Sequence, residues 1–359
     1  MGNQSENKLL EIGSTITLRG KMYEVQDELY SGPFSKVYTV CDGSQQYALK
    51  TERTVGSKRP VLKLDASVLK QIDKQELTTG FPRLIAAGRT PLYKFVLMEL
   101  VGPDLQRLRR STPGKKFRLS TSLRIASQTL KRIEVLHDCG WLCRDIKANN
   151  FCIGKENDGL IYMLDFGFAR KFMQALEKQI ERKMACCSRD NGTIVERRNS
   201  ASLMGTIFYA PINAHNFSEQ CRKDDLESWF YMIVEMIAGS LPWSSYDPKK
   251  EYLLVGEWKT FARGPGRCRL LQSTPAEFND ILRTIDETAF NDRPRYRIIQ
   301  SLIHQTMDRL QIDKKQPFEW QETDMRKTKG ISKSNLAHKF CDHKKTENDD
   351  NINTIECTA

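Results

Sequence analysis

The stretch that most restricts this chain is Arg144-Asp145-Ile146-Lys147-Ala148-Asn149-Asn150, with Asp165-Phe166-Gly167 beginning fifteen residues beyond Asn150. It lies in the second of two unlike halves. From Lys21 the segments MYEVQDELY, SKVYTVCDG and QQYALKTE alternate polar and apolar residues between turn residues, and Asp42-Gly43 is a hairpin signal. VLKLDASVLKQI then reads as a helix with Leu62, Leu69 and Ile72 on one face, and KFVLMELVG as a further strand. Beyond it helical patterns dominate. In STSLRIASQTLKRIEVLH the apolar positions Leu123, Ala126, Leu130 and Ile133 step by 3, 4 and 3 residues. LESWFYMIVEMIAGSLPW is the longest apolar region, but Glu235 interrupts it and it is too short to span a bilayer, so it reads as a buried core helix. The expected class is α+β: a small β-rich unit with one main helix, joined near residues 98–104 to a larger, mostly helical unit.

Composition narrows the setting. The chain has 359 residues, 39% of them hydrophobic and 28% charged, as in an ordinary globular protein with a sizeable core. Ten cysteines and five histidines are scattered without metal-ligand or disulfide spacing. With no secretory leader, reduced thiols and a cytoplasmic or nuclear location are expected. Glu6 stands where a myristoylation motif needs Ser or Thr, so no lipid anchor is expected. A formal charge of +11 favours acidic partners, whereas no aromatic-interleaved basic patch points to nucleic acid.

The opening motif supplies what phosphoryl transfer from ATP to an alcohol requires. Asp145 would orient the acceptor hydroxyl and take its proton, Lys147 would steady the γ-phosphate, and Asn150 and Asp165 would hold Mg²⁺. Phe166 packs, Gly167 allows the turn, and Lys50 in YALK stands on a strand where the α- and β-phosphates need a cation.

With these residues in place, the chain resembles a protein kinase, and specifically the casein kinase 1 superfamily. The resemblance is carried by GTIFYAPINAH (205–215) and KDDLESWFYMIVEMIAGSLPW (223–243), with Pro211-Ile212-Asn213 where most protein kinases have Ala-Pro-Glu. YMLDFGFARKF, INAH and QPFEW (316–320) look most like the tau-tubulin kinase branch. It covers roughly residues 16–321 and implies a bilobal fold: an N-lobe over about 16–98, a hinge over about 99–104 and a C-lobe over about 105–321. Residues 1–15 and 322–359 would be a flexible N-terminus and a charged, disordered tail. It further implies MgATP as co-substrate and Ser/Thr of protein as acceptor. Gly32, Val37, Ala48, Lys50, Glu99, Val101, Asn150 and Asp165 would contact the nucleotide or its metal, and Met98 would back the adenine. Asp225 would hold the catalytic-loop backbone. Acidic or cytoskeletal protein substrates, no membrane and a monomer are the implied partners and state.

Several positions depart from the family pattern. In YSGPFS (30–35) only Gly32 survives of three phosphate-loop glycines; Tyr30 and Ser35 take the outer places, and Tyr30 is expected to narrow the cleft mouth. Asp65 replaces the glutamate that pairs with the strand lysine. The pair forms if the helix moves inward by about 1 Å; otherwise Asp65 is a solvated helix charge. Cys143 replaces a histidine and reads as a compact buried side chain rather than a reactive thiol. Phe208 and Asp247 stand where relatives place basic residues that read a substrate phosphate, although Lys249 and Lys250 lie close by. Ser200, in ERRNSAS (196–202), is a candidate phosphosite that would order its loop, against the alternative of an unregulated insert. Two readings follow: an active Ser/Thr kinase, or a pseudokinase that keeps the fold as a binding module.

Overall fold

The computed structural model describes residues 10–54, 61–175, 192–194 and 201–322. The first half forms strands β1 (Thr15–Leu18), β2 (Lys21–Ser31), β3 (Lys36–Cys41) and β4 (Gln46–Arg53), helix α1 (Val61–Lys74), and strands β5 (Leu84–Arg89) and β6 (Tyr93–Glu99). These strands make one six-stranded sheet in the order β1-β2-β3-β4-β6-β5, with every neighbouring pair antiparallel. The period of two along β4 and β6 sorts the two faces. Leu49, Phe95 and Leu97 join Tyr23, Val25, Tyr38 and Val40 in a cluster on one face. Ala48, Val96 and Met98 point the other way, toward α1 and the rest of the molecule.

Helix α1 buries Val61, Leu62, Asp65, Val68, Leu69 and Ile72, a set spaced at three and four residues. Leu62, Leu69 and Ile72 therefore share a face as their spacing predicts, and Asp65 is on that face with them. Residues 10–14 are fastened to the sheet. Leu10 is buried, the Gly13 amide donates to the Val25 carbonyl at 2.7 Å, and Val25 donates to Ser14 at 2.9 Å. Residues 10–14 are thus tied to β2, because Leu10 covers an end of the sheet's apolar face.

The second half contains α2 (Leu105–Arg110), α3 (Leu119–Asp138), β7 (Trp141–Leu142), β8 (Phe151–Ile153), β9 (Ile161–Met163), β10 (Arg170–Lys171), β11 (Met173–Ala175), β12 (Gly192–Ile194), α4 (Ile212–His215), α5 (Arg222–Ala238), α6 (Tyr252–Phe261), α7 (Arg267–Leu271), α8 (Glu277–Asp286) and α9 (Tyr296–Arg309). Its core is α5, where Trp229 to Ile233 are all fully buried. α3 and α8 pack on it, and the Trp229 indole donates to Thr129 of α3 at 2.9 Å. Among the described residues no helix is long and apolar enough to cross a membrane. The loops between β7 and β8 and after β9 face the sheet's α1 side, and the charged residues singled out above meet there.

Candidate active site

Lys50 follows Ala48 on β4 at the period of two, so its side chain enters the space between the sheet and α1. There its Nζ lies 2.9 Å from Asp65 Oδ2 and 2.8 Å from Asp165 Oδ1. The shorter carboxylate on α1 thus reaches the lysine. Its other oxygen, Oδ1, accepts from the Phe166 amide at 2.7 Å, so Asp65 joins strand, helix and the Asp-Phe-Gly turn at one point.

The three charges are not equivalent. The Asp65 side chain is 3% exposed and that of Asp165 is 41% exposed, so Asp165 is the carboxylate open to the cleft. Burial pushes the Asp65 carboxyl up, beyond what Lys50 restores. Burial acts the same way on Asp165, but Lys50 and Lys147 outweigh it and hold that carboxyl below its ordinary value. Lys50 itself is raised, because the two carboxylates overcome the effect of burial.

Asp145 is held at both oxygens. Oδ1 accepts from the Thr206 amide at 2.9 Å and from its hydroxyl at 2.8 Å, and Oδ2 lies 2.8 Å from Lys147 Nζ. Lys147 also donates to the Thr206 hydroxyl at 3.2 Å. Asn150 commits its amide nitrogen to the Asp145 carbonyl at 2.8 Å, which leaves its amide oxygen as the group with spare acceptor capacity. Within GTIFYAPINAH the sequence signal for Thr206 is the small Gly205 before it. A Cβ on Gly205, whose φ is +95°, would lie 2.5 Å from the Arg144 carbonyl, so only glycine lets this segment approach the catalytic loop.

The loop's backbone is anchored from α5. Asp225 accepts from the amides of Cys143 at 2.7 Å and Arg144 at 2.8 Å and from His137 Nε2 at 2.9 Å. A carboxylate only accepts, so His137 donates from Nε2 and takes the Tyr296 hydroxyl proton at Nδ1, 2.5 Å away. His137, at the end of a helical pattern, carried no signal of this. Arg144 and Asp165 have φ of 65° and 59°, a left-handed backbone rare outside glycine. Such strain persists where surrounding bonds over-determine it, as those from Asp225 and Lys50 do here. Cys143 is fully buried, and burial followed by Asp225 raises its thiol well above the ordinary range, so it is an inert packing residue.

On the sheet side, Ala48 and Met98 are buried and Val37 is half-buried beside the same core. The Glu99 amide donates to the Arg83 carbonyl, and its carboxylate accepts from the Arg83 amide and the Tyr162 hydroxyl. Among the described residues the Val101 amide donates no hydrogen bond. Gly32 sits at the tip of the β2–β3 turn, its amide donating to the Ser35 carbonyl at 3.0 Å. Tyr30, 38% exposed, packs its ring against Gly32 under the turn. Phe208 is half-buried with its carbonyl taking the Trp243 indole proton, and the Asp247 carboxylate caps the Lys249 and Lys250 amides. Ser200 and the expected tail from Thr323 lie outside the described residues.

Lys50, Asp65 and Asp165 thus meet at one point, and Asp145, Lys147 and Asn150 at another beside the same turn. Residues 23–307 match the family model of the protein kinase domain. This chain belongs to the protein kinase family. The kinase is 44% identical over 335 residues to the serine/threonine-protein kinase spe-6 of Caenorhabditis elegans, covering 92% of this chain and 84% of that protein. It is 31% identical over 303 residues to a probable serine/threonine-protein kinase of Dictyostelium discoideum, covering 83% of this chain and 56% of that one. The fold is the α+β bilobal fold of that family, which uses ATP and a divalent metal. The residues fit both. Asp165 and the spare amide oxygen of Asn150 offer oxygen donors, a set suited to an ion that keeps water and phosphate oxygens.

Proposed function

We propose that this kinase is catalytically active, transferring the γ-phosphoryl group of MgATP to serine or threonine in proteins, and that it lies in the casein kinase 1 superfamily near the tau-tubulin kinase branch. The observation that carries the activity is Asp145, fixed at one oxygen by Thr206 and at the other by Lys147. A base so oriented accepts the acceptor hydroxyl's proton as the oxygen attacks. Lys147, 2.8 Å from Asp145, carries its charge to the side where negative charge builds on the transferred group. Lys50 grips the inner phosphates, and Asp65 holds it in place. Asp165 and Asn150 would hold Mg²⁺, which when bound neutralises phosphate charge.

The branch assignment is supported at Pro211-Ile212-Asn213. Asn213 donates to both oxygens of buried Asp224, at 3.0 and 3.2 Å, where a glutamate would meet like charge. With Phe208 in the floor and the Asp247 carboxylate capping its own turn, the acceptor side has no cation at the two positions that read a prior phosphate. Unprimed, acidic or cytoskeletal proteins are therefore the proposed substrates, drawn by the +11 charge. The kinase would act as a monomer in cytoplasm or nucleus. Tyr30 under Gly32 favours a second reading, a scaffold with little turnover.

Transfer of labelled γ-phosphate from MgATP to casein decides between them. Asp145→Asn should lower the rate by about 10²–10⁴-fold, the contribution of a positioned base. Folded wild-type protein no faster than this variant would establish the scaffold.

A further inference from the structure

Tyr30 pairs with Val37 at the end of β2, and its ring folds back under the turn. A Cβ placed on Gly32 would lie 2.3 Å from the Tyr30 hydroxyl oxygen and 2.6 Å from Cε1 and Cζ. The ring therefore rests against the bare Cα of Gly32, and any other residue there would expel it. The turn is closed over it by the Gly32–Ser35 bond. Below, the hydroxyl lies in the fields of Asp165, Lys147, Lys50 and Asp145, and burial more than any of these charges raises the phenol, so it stays neutral. Across the sheet Tyr30 pairs with Val37 and Val37 with Lys50, so the ring, 38% exposed, lies under the loop on the face that carries Lys50.

We propose that the Tyr30 side chain fills the place of the terminal phosphates, so that this cleft discriminates against nucleoside triphosphates relative to nucleosides. The inference rests on the nucleotide-binding reading above. A phosphate loop works by bringing backbone amides against the phosphates, and a ring lodged between them removes that approach. A triphosphate then binds only molecules whose ring has swung out, and its apparent affinity falls by that fraction; adenosine, which ends before the loop, binds either form.

The test is calorimetric titration of the full chain with MgATP and, separately, with adenosine. Wild type is compared with Tyr30→Gly, Tyr30→Ala and Tyr30→Phe. Both small variants should tighten MgATP about tenfold, as for a ring swung out in a tenth of molecules, with adenosine unchanged. Tyr30→Phe keeps the ring and should behave as wild type. An unmoved ratio of the two affinities in both small variants would overturn the gate while leaving nucleotide binding intact. Weaker MgATP binding by Tyr30→Phe would also overturn it, by making the hydroxyl a phosphate ligand. If no protein binds either compound, the nucleotide reading and the gate fall together.

Discussion

Asp65 is a methylene shorter than the residue that usually pairs with the strand lysine, yet it makes two bonds, to Lys50 at 2.9 Å and to the Phe166 amide at 2.7 Å. Both depend on α1 lying close enough for a short side chain to bridge. The family pattern invites Asp65→Glu as a repair, and the packing argues the reverse. Asp65 is 2% exposed, so the added methylene overpacks the junction. Asp65→Glu should lose about 1–3 kcal/mol in urea unfolding and lower kcat/KM together with it. A rise in kcat/KM would mean that α1 has slack to move outward. The family pattern put Asp65 at the position that pairs with the strand lysine, with a solvated helix charge as the alternative. The bond to Phe166 was not legible, since nothing local marks a carboxylate for a backbone amide 101 residues away.

Helices α4 and α6 meet at the buried Lys259 amine, which pins the segment after Thr206. Lys259 donates to the carbonyls of Ile207 at 2.7 Å and Ala210 at 2.6 Å and lies 3.1 Å from His215 Nε2. Burial first, then the Lys259 charge, lowers His215 to about 3, so it stays neutral and accepts. Unfolding restores a value near 6.5, so the unfolded chain binds the extra proton between the two. Stability is complete above pH 6.5 and falls as pH drops toward 3, by up to about 1.4 kcal/mol per pH unit for this group. Urea midpoints of His215→Gln should therefore change less between pH 7 and 5 than those of wild type; parallel curves would refute the assignment. Strands β1 and β5 were not read from sequence either. β1 is four residues long, and β5 carries a register shift between Leu84 and Ala86 that breaks the alternation a strand needs to be seen.

At the scale of the whole molecule, the fold continues past residue 307, where the family match ends. Phe318 is 1% exposed, stacks on Trp320 at 4.5 Å, and has the Arg124 guanidinium 3.7 Å above its ring. Trp320 meets Phe117 and donates to the Asp158 carbonyl at 3.1 Å, and Arg118 pairs with Glu322 at 2.5 Å. This strap ties the start of α3 to the β8–β9 turn, next to Ile153, whose carbonyl takes the Gly102 amide of the connection between lobes. Phe318→Ala should cost about 3–5 kcal/mol in urea unfolding, as for a buried aromatic removed from a core. A cost below that of an exposed substitution would show that the strap is dispensable.

Sequence alone determined which chemical groups this protein carries and the order in which it carries them. Asp145, Lys147 and Asn150 fall within one short loop, where spacing and residue type are local properties. Lys50 was placed on a strand by its alternation, and Asp65 by the family pattern. Tertiary structure alone decided that Lys50 meets Asp165 across 115 residues, and that Arg144 and Asp165 take a left-handed backbone. It also decided that Tyr30 turns inward beneath Gly32. Those outcomes depend on how closely the sheet, α1 and α5 approach one another, and that distance is set by the sum of core packing rather than by any residue in the motifs.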